Sequence, residues 1–334
     1  MTSVRESELD ERAVAFVAER LGDGAVLAPL SGDASTRRYF RVVRGSQSWV
    51  LALHPEPFEA ETLPFLVVRR LMAGWGLPVP EILDHDGPSG ILLLEDLGDR
   101  TLQEALRVVG PPERDALYRT ALDQLTTLQR EALRGPQTAG CFQVAFDIEK
   151  LSWELHYFEK HFLEGHRGRE LSVEDRATLA EGFHRLSEEI AAWPRVLCHR
   201  DFHSRNLMLQ RGTLYWVDFQ DARLGPASYD LASLLRDSYV ELPEELVAEL
   251  SLEFRQRALP GEARDTFLRR FELTSVQRNL KALGTFGYMA TVRGKDVYLP
   301  YIPGTLRSAR RYLARHPELL GLRRVLARHL DELK

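Results

Sequence analysis

The chain has 334 residues, enough for two domains of ordinary size, and its 44% hydrophobic and 28% charged residues are those of a globular protein with a sizeable core. A formal net charge of −5 argues against a nucleic-acid binder, which needs a basic face to meet phosphates, and no apolar run is long enough to span a membrane. Two cysteines, Cys141 and Cys198, point to a reducing compartment, and the charged N-terminus lacks the apolar core of a signal peptide, so a cytoplasmic protein is expected.

Leu9, Ala13, Phe16, Val17 and Leu21 share one face, which predicts an amphipathic helix over about residues 8–21. The small polar run Ser31-Gly32-Asp33-Ala34-Ser35 follows, a loop able to bring backbone N–H groups close to phosphates. Tyr39–Val43 and Ser48–Leu53 read as a hairpin around Arg44-Gly45-Ser46-Gln47, with Arg37, Tyr39 and Arg41 on one face and Arg38 on the other. A helix is predicted from Thr62, with Pro64 in its first turn, to Gly74 or Gly76. Strands at Glu81–Asp84 and Ile91–Leu94 flank the turn Asp86-Gly87-Pro88-Ser89-Gly90.

After Glu95-Asp96-Leu97-Gly98 the pattern becomes helical. Thr101 and Glu104 form a capping box, and helices are predicted at roughly 113–131, 147–163, 173–191, 228–240, 243–256, 264–286 and 305–330. The non-helical interruption is 196–227. The expected architecture is α+β: a small β-rich N-lobe, residues 1–97, and a large helical C-lobe, residues 98–334.

The interruption carries the chemistry. His199-Arg200-Asp201-Phe202-His203-Ser204-Arg205-Asn206 precedes an apolar strand, a turn at Arg211-Gly212 and a second apolar strand ending in Asp218. Phosphoryl transfer needs a positioned acceptor hydroxyl and metal ions that neutralise phosphate charge. Asp201 suits the carboxylate that orients the hydroxyl and accepts its proton, while Asn206 and Asp218 suit oxygen ligands of Mg2+. Each alone is a common turn residue; the ordered combination is what signals a kinase.

These residues, with Val217-Asp218-Phe219-Gln220 and Gly225-Pro226-x-x-x-Asp230-Leu231-Ala232, resemble the aminoglycoside phosphotransferase and choline kinase superfamily, distant relatives of protein kinases. Within it, the run from Ser31 to Val42, the Leu92–Asp99 block, HRDFHSRNLM, DFQDA and Leu273-x-x-x-Gln277-Arg278-x-Leu280-Lys281 are similar to bacterial anomeric kinases of N-acetylmuramate and N-acetylglucosamine. The resemblance implies a protein-kinase-like fold, ATP and Mg2+, and a sugar acceptor in cell-wall recycling. It implies Asp201 as base, Asn206 and Asp218 on magnesium, and Asp230 with His199 bracing the loop. Ser31, Gly32, Asp33, Ala34 and Ser35 would cover the phosphates, with Glu95 and Leu97 at the adenine.

The chain departs from protein kinases at one point. Trp49-Val50-Leu51-Ala52-Leu53 carries no lysine and the following helix no acid, so Arg38 (or Arg41) is expected to supply the charge at the phosphates. On the acceptor side, His203, Gln220, Asp221 and Glu154 offer hydrogen bonds to a sugar. Trp153, Glu154 and Tyr157 share a helical face that reads first as core, and Arg278 and Lys281 share one that reads as solvated. A kinase for another small alcohol or an aminoglycoside, or an inactive nucleotide-binding relative, is the competing expectation.

Overall fold

The computed structural model describes residues 10–22, 24–30, 37–135 and 137–334. The chain forms two units, Met1–Arg100 with Met208–Gln220 and Thr101–Leu207 with Asp221–Lys334. The sequence pattern divides the chain near residue 97 and leaves the second hairpin among the helices. The structure gives that hairpin to the first unit because its backbone is tied there. Leu209 N donates to the Arg100 carbonyl (2.7 Å) and Trp216 N to the Pro78 carbonyl (2.8 Å). Gln210 Nε2 donates to the Asp96 carbonyl (2.9 Å).

In the first unit, α1 (Glu11–Leu21) starts on Asp10, whose side chain accepts from Arg12 N. There follow β1 (Val26–Leu30), β2 (Arg38–Arg44), β3 (Gln47–Leu53), α2 (Pro64–Gly74), β4 (Ile82–Asp86) and β5 (Ile91–Glu95). The strands pair antiparallel in the order β1-β2-β3-β5-β4. The pattern reading misses β1, an edge strand with mostly exposed side chains and a proline inside it. Strand alternation places Phe40, Val42, Leu51, Leu53, Ile91 and Leu93 in one cluster with Ala13, Phe16 and Val17 of α1. Burying each large apolar side chain contributes roughly 1.5–3 kcal/mol. A one-residue slip of β2 would turn Tyr39 and Arg41 toward α1 instead, so this cluster sets the register.

The second unit opens with α3 (Leu102–Ala105), on which the Thr101–Glu104 capping box forms in both directions. It continues through α4 (Pro111–Arg134), α5 (Ile148–Phe158), α6 (Val173–Ala191) and β6 (Arg195–Cys198). After the hairpin β7 (Leu207–Gln210) and β8 (Thr213–Trp216), which goes with the first unit, β9 (Arg223–Pro226) pairs antiparallel with β6. Then come α7 (Ser228–Leu235), α8 (Glu244–Ala258), α9 (Arg264–Thr291), α10 (Ile302–Leu313) and α11 (Leu320–His329).

Three helices differ from expectation for identifiable reasons. The helix expected to 240 ends at Leu235, because Asp237 turns to accept Ser204 N (2.9 Å) and Tyr239 N (2.8 Å). The stretch expected as one helix over 305–330 breaks at the 3-10 turn Pro317–Leu319, where proline cannot continue the ladder. The one expected over 147–163 changes to π-helix at Glu159–His166. α9 packs against that segment through two glycines. A Cβ on Gly287 would lie 2.2 Å from the His161 carbonyl oxygen, and one on Gly284 2.8 Å from Phe158 N. Only a residue without a side chain lets the two backbones approach this closely.

Candidate active site

β6 ends at Cys198, and the chain turns through residues 199–206 before β7. One carboxylate organises the turn. Asp230, fully buried in the first turn of α7, accepts His199 N at Oδ2 (2.6 Å) and Arg200 N at Oδ1 (2.9 Å). Arg200 has φ +87°, a backbone state costing roughly 1–3 kcal/mol outside glycine. Two hydrogen bonds to the Asp230 carboxyl, roughly 0.5–1.5 kcal/mol each, offset that strain. Burial pushes the Asp230 carboxyl up to about 7, against the two backbone N–H groups that pull it down. His199 Nδ1 accepts Asp201 N (3.3 Å), and Asn206 Nδ2 donates to the Asp201 carbonyl (2.9 Å). The amide oxygen of Asn206 takes no part in that bond.

Asp201 is surrounded by cations. Lys281 Nζ lies 2.6 Å from Oδ1, Arg278 Nη2 3.7 Å from Oδ1, and Arg200 Nε 3.7 Å from Oδ2. Burial by itself would raise the Asp201 carboxyl; Lys281, Arg200 and Arg278 hold it well below the usual carboxylate range, so it is ionised. This corrects the expectation of a solvated face at Arg278 and Lys281. Arg278 is 8% exposed, donates to the Arg200 carbonyl (2.6 Å) and lies over the Tyr229 ring. The spacing of three between them was visible in the sequence; the loop they meet, some 80 positions away, was not.

The expected acceptor groups of this unit lie within electrostatic reach of Asp201 or of the cations around it, His203 beside Asp201, and Asp221 and Glu154 beside Arg200. His203 lies beside the Tyr239 ring (centroids 5.2 Å apart), and burial pushes its imidazole down to about 3, so it is neutral. Asp221 pairs with Arg200 (2.8 Å). Glu154 is 1% exposed, accepts Gln277 Nε2 (2.8 Å) and faces Lys150 (3.5 Å). Trp153 is 55% exposed, with its ring 5.1 Å from that of Tyr157, so the expected stripe splits between an outer aromatic pair and an inner acid. Arg205 has surroundings no pattern foretold. It lies over Tyr239 (3.9 Å), Tyr301 (5.1 Å) and Tyr298 (5.6 Å), and donates to Gln103 Oε1 (2.9 Å) and the Tyr301 hydroxyl (3.0 Å). That clamp stiffens the loop between Asp201 and Asn206.

Asp218 and Gln220 belong to the first unit. Asp218 follows β8 at φ +62° and accepts Gln220 Nε2 (2.8 Å). The next residue, Phe219, is buried and stacks on Phe65 of α2 (4.9 Å, 29°), which anchors the strained turn. Burial raises the Tyr39 phenol, Arg37 opposes and the Asp218 charge adds, so the Tyr39 face of β2 is the one that senses Asp218. Arg41 shares that face and is held by Asp96 (2.8 Å) and Asp99 (2.8 Å). Arg38, expected at the phosphates, is on the other face: its Nη1 pairs with Asp10 (3.5 Å) and its guanidinium lies over Phe40. Alternation along β2 is the reason. Glu95 Oε2 accepts Glu81 N (3.2 Å), Leu97 is buried, and the Asp96 carbonyl takes the Gln210 bond. The Ser31, Gly32, Asp33, Ala34 and Ser35 loop lies outside the described residues.

An amide oxygen such as that of Asn206 and a carboxylate such as that of Asp218 are each of the donor type magnesium takes, one or two protein oxygens with phosphates and water completing its shell. Among the described residues no helix is long and apolar enough to cross a membrane.

A model of the phosphotransferase enzyme family matches residues 26–268. The N-acetylmuramate/N-acetylglucosamine kinase of Neisseria meningitidis is 37% identical over 298 residues, 87% of either chain. That of Pseudomonas aeruginosa is 38% identical over 320 residues, 93% of this chain and 91% of the relative. Among solved structures, a choline/ethanolamine kinase family protein from Mesorhizobium loti superposes with TM-score 0.60 at 17% identity, over 97% of this chain and 98% of the other. An ADP-bound aminoglycoside phosphotransferase does so with TM-score 0.60 at 14% identity, over 90% and 98%. At such identities the structures speak for the fold alone, which is the protein-kinase-like α+β arrangement.

Proposed function

The chain belongs to the phosphotransferase enzyme family and is a small-molecule sugar kinase, and from that premise we propose that it phosphorylates the anomeric hydroxyl of N-acetylmuramate or N-acetylglucosamine with ATP, as a cytoplasmic enzyme of cell-wall recycling. The observation that carries this reading is the 37–38% identity, along most of the chain, to two kinases named for those sugars.

Asp201 is the base. Its carboxylate orients the acceptor hydroxyl and takes the proton as the new O–P bond forms. Its strong pairing with cations is compatible with this, because in a loose phosphoryl-transfer transition state the acceptor proton leaves late and orientation matters more than basicity. Magnesium, when bound, neutralises charge on the phosphates, with Asn206 and Asp218 as its ligands. His199 and Asp230 keep Asp201 in place through the loop backbone. The backbone around Glu95 and Leu97 receives adenine, and Ser31–Ser35 covers the phosphates. Neutral His203, with Gln220, Asp221 and Glu154, offers hydrogen bonds to sugar hydroxyls. Arg38 is not assigned to the nucleotide, since Asp10 and Phe40 hold it on the α1 face.

The test is ATP consumption with a panel of N-acetylmuramate, N-acetylglucosamine, an aminoglycoside, choline and a hydroxyamino acid, followed by phosphorus NMR of the product. An anomeric phosphate from the amino sugars is expected, with Asp201→Asn nearly inactive. Turnover of the other acceptors but of no amino sugar sinks the reading; an undiminished Asp201→Asn enzyme sinks the role of Asp201.

A further inference from the structure

We propose that Lys281 is a catalytic residue of this kinase: its ammonium sits on Asp201 in the resting protein and moves onto the transferring phosphoryl group in the transition state. The inference rests on the kinase reading above.

Asp201 does not need Lys281 to hold its position. The loop backbone is secured by Asp230 at His199 and Arg200, by Asn206 at the Asp201 carbonyl, and by Arg278 at the Arg200 carbonyl. Arg200 and Arg278, each 3.7 Å away, already bring positive charge to the carboxylate. A third cation at 2.6 Å is surplus to a structural task.

The residue type matters as well. Of 44 basic residues only five are lysines, Lys150, Lys160, Lys281, Lys295 and Lys334. Arginine dominates the ion pairs of this chain, and the first unit contains no lysine at all to meet a phosphate. An ammonium is a compact charge with three donors on a flexible stem, able to exchange one oxygen for another where a planar guanidinium locked in a fork is not. Lys281 is held at its post by α9, whose Gly284 and Gly287 seat the following two turns tightly against the segment from Tyr157 to Phe162.

Distance supplies the last step. A base must lie roughly 2.6–3.2 Å from the oxygen it deprotonates. An ammonium 2.6 Å from that same carboxylate is therefore near the attacking oxygen, with the γ-phosphorus and the oxygens it carries next beyond. In the reaction the acceptor oxygen bonds to the γ-phosphorus while the bond from phosphorus to the β,γ-bridging oxygen breaks. The acceptor proton passes to Asp201, and ADP leaves with the electron pair. Lys281 keeps its proton and changes partner, from Oδ1 of Asp201 to a phosphoryl oxygen. Its charge then meets the developing negative charge in the transition state only, which is what accelerates the step.

The experiment uses Lys281→Met, Lys281→Arg, Asp201→Asn and the double variant Asp201→Asn/Lys281→Met, with kcat at saturating substrates and calorimetry of acceptor binding without nucleotide. Losing Lys281 to methionine should lower kcat by about 10²–10³-fold, the range for removal of one transition-state donor. Acceptor Kd should stay within about threefold, and the loss should persist at about tenfold or more in the Asp201→Asn background. Lys281→Arg preserves the ion pair and reads the same question should the methionine variant not fold. A catalytic ammonium makes the arginine enzyme stable but slow, whereas a structural ion pair leaves it at full rate. An undiminished kcat, a loss found wholly in acceptor Kd, or a double variant no slower than Asp201→Asn overturns the proposal. Wild type without amino-sugar turnover would instead fail the underlying kinase reading.

Discussion

Replacing Asp230 with alanine deprives two buried backbone N–H groups, those of His199 and Arg200, of their acceptors. Each orphaned group costs roughly 1–3 kcal/mol, so a loss of about 3 kcal/mol or more is expected at about pH 6. The backbone of Arg200, at φ +87°, would then relax, and Asp201 is the next residue. A shift of about 1 Å at a reacting group is enough for a roughly 10²-fold loss of kcat. Asp230→Asn retains one acceptor and should fall between the alanine variant and wild type. The pH dependence isolates the carboxyl itself. Burial lifts it to about 7 in the folded protein, above its unfolded value, so its stabilising contribution is full below the unfolded pKa and disappears as pH rises through about 7. From about pH 5 to about pH 8 that loss amounts to about 3 kcal/mol, which an asparagine does not share. Urea denaturation of wild type and Asp230→Asn across this range should therefore show their stability gap narrowing by about that amount. A gap independent of pH, or an alanine variant with unchanged kcat and stability, would refute the reasoning.

Gly287→Ala should destabilise by about 1–3 kcal/mol or more in urea, because its Cβ meets the His161 carbonyl at 2.2 Å. Gly261→Ala, with open space around its Cβ, should stay within about 0.5 kcal/mol of wild type and serves as the control. Arg41→Ala leaves the nearly buried Asp96 carboxylate with the Gly98 N–H and the Ser48 side chain, and should cost about 1–3 kcal/mol while raising the KM for ATP; equal KM values would detach this ion pair from the nucleotide. Both cysteines are buried, and burial pushes the Cys141 thiol up to about 11 and raises that of Cys198 also. Mass spectrometry should find neither alkylated by iodoacetamide in the native protein at about pH 8 and both alkylated after unfolding; rapid native labelling would contradict their burial.

Sequence by itself determined what local chemistry and periodicity can carry. The alternation of β2 and β3, the Thr101–Glu104 capping box and the order from His199 to Asp218 are properties of neighbouring residues, and all three reappear in the structure. What lies far apart in the chain was decided by the tertiary structure. Lys281 reads as a solvated lysine until α9 is set against the 199–206 loop, and Arg38 as a phosphate ligand until α1 claims its face of the sheet. Arg205 reads as one polar residue in a loop until three tyrosines and Gln103 close around it. A side chain's type is local, but the charge, burial and partners that give it a role come from whatever the fold places opposite it. For Asp201, that neighbour is a lysine some 80 positions away.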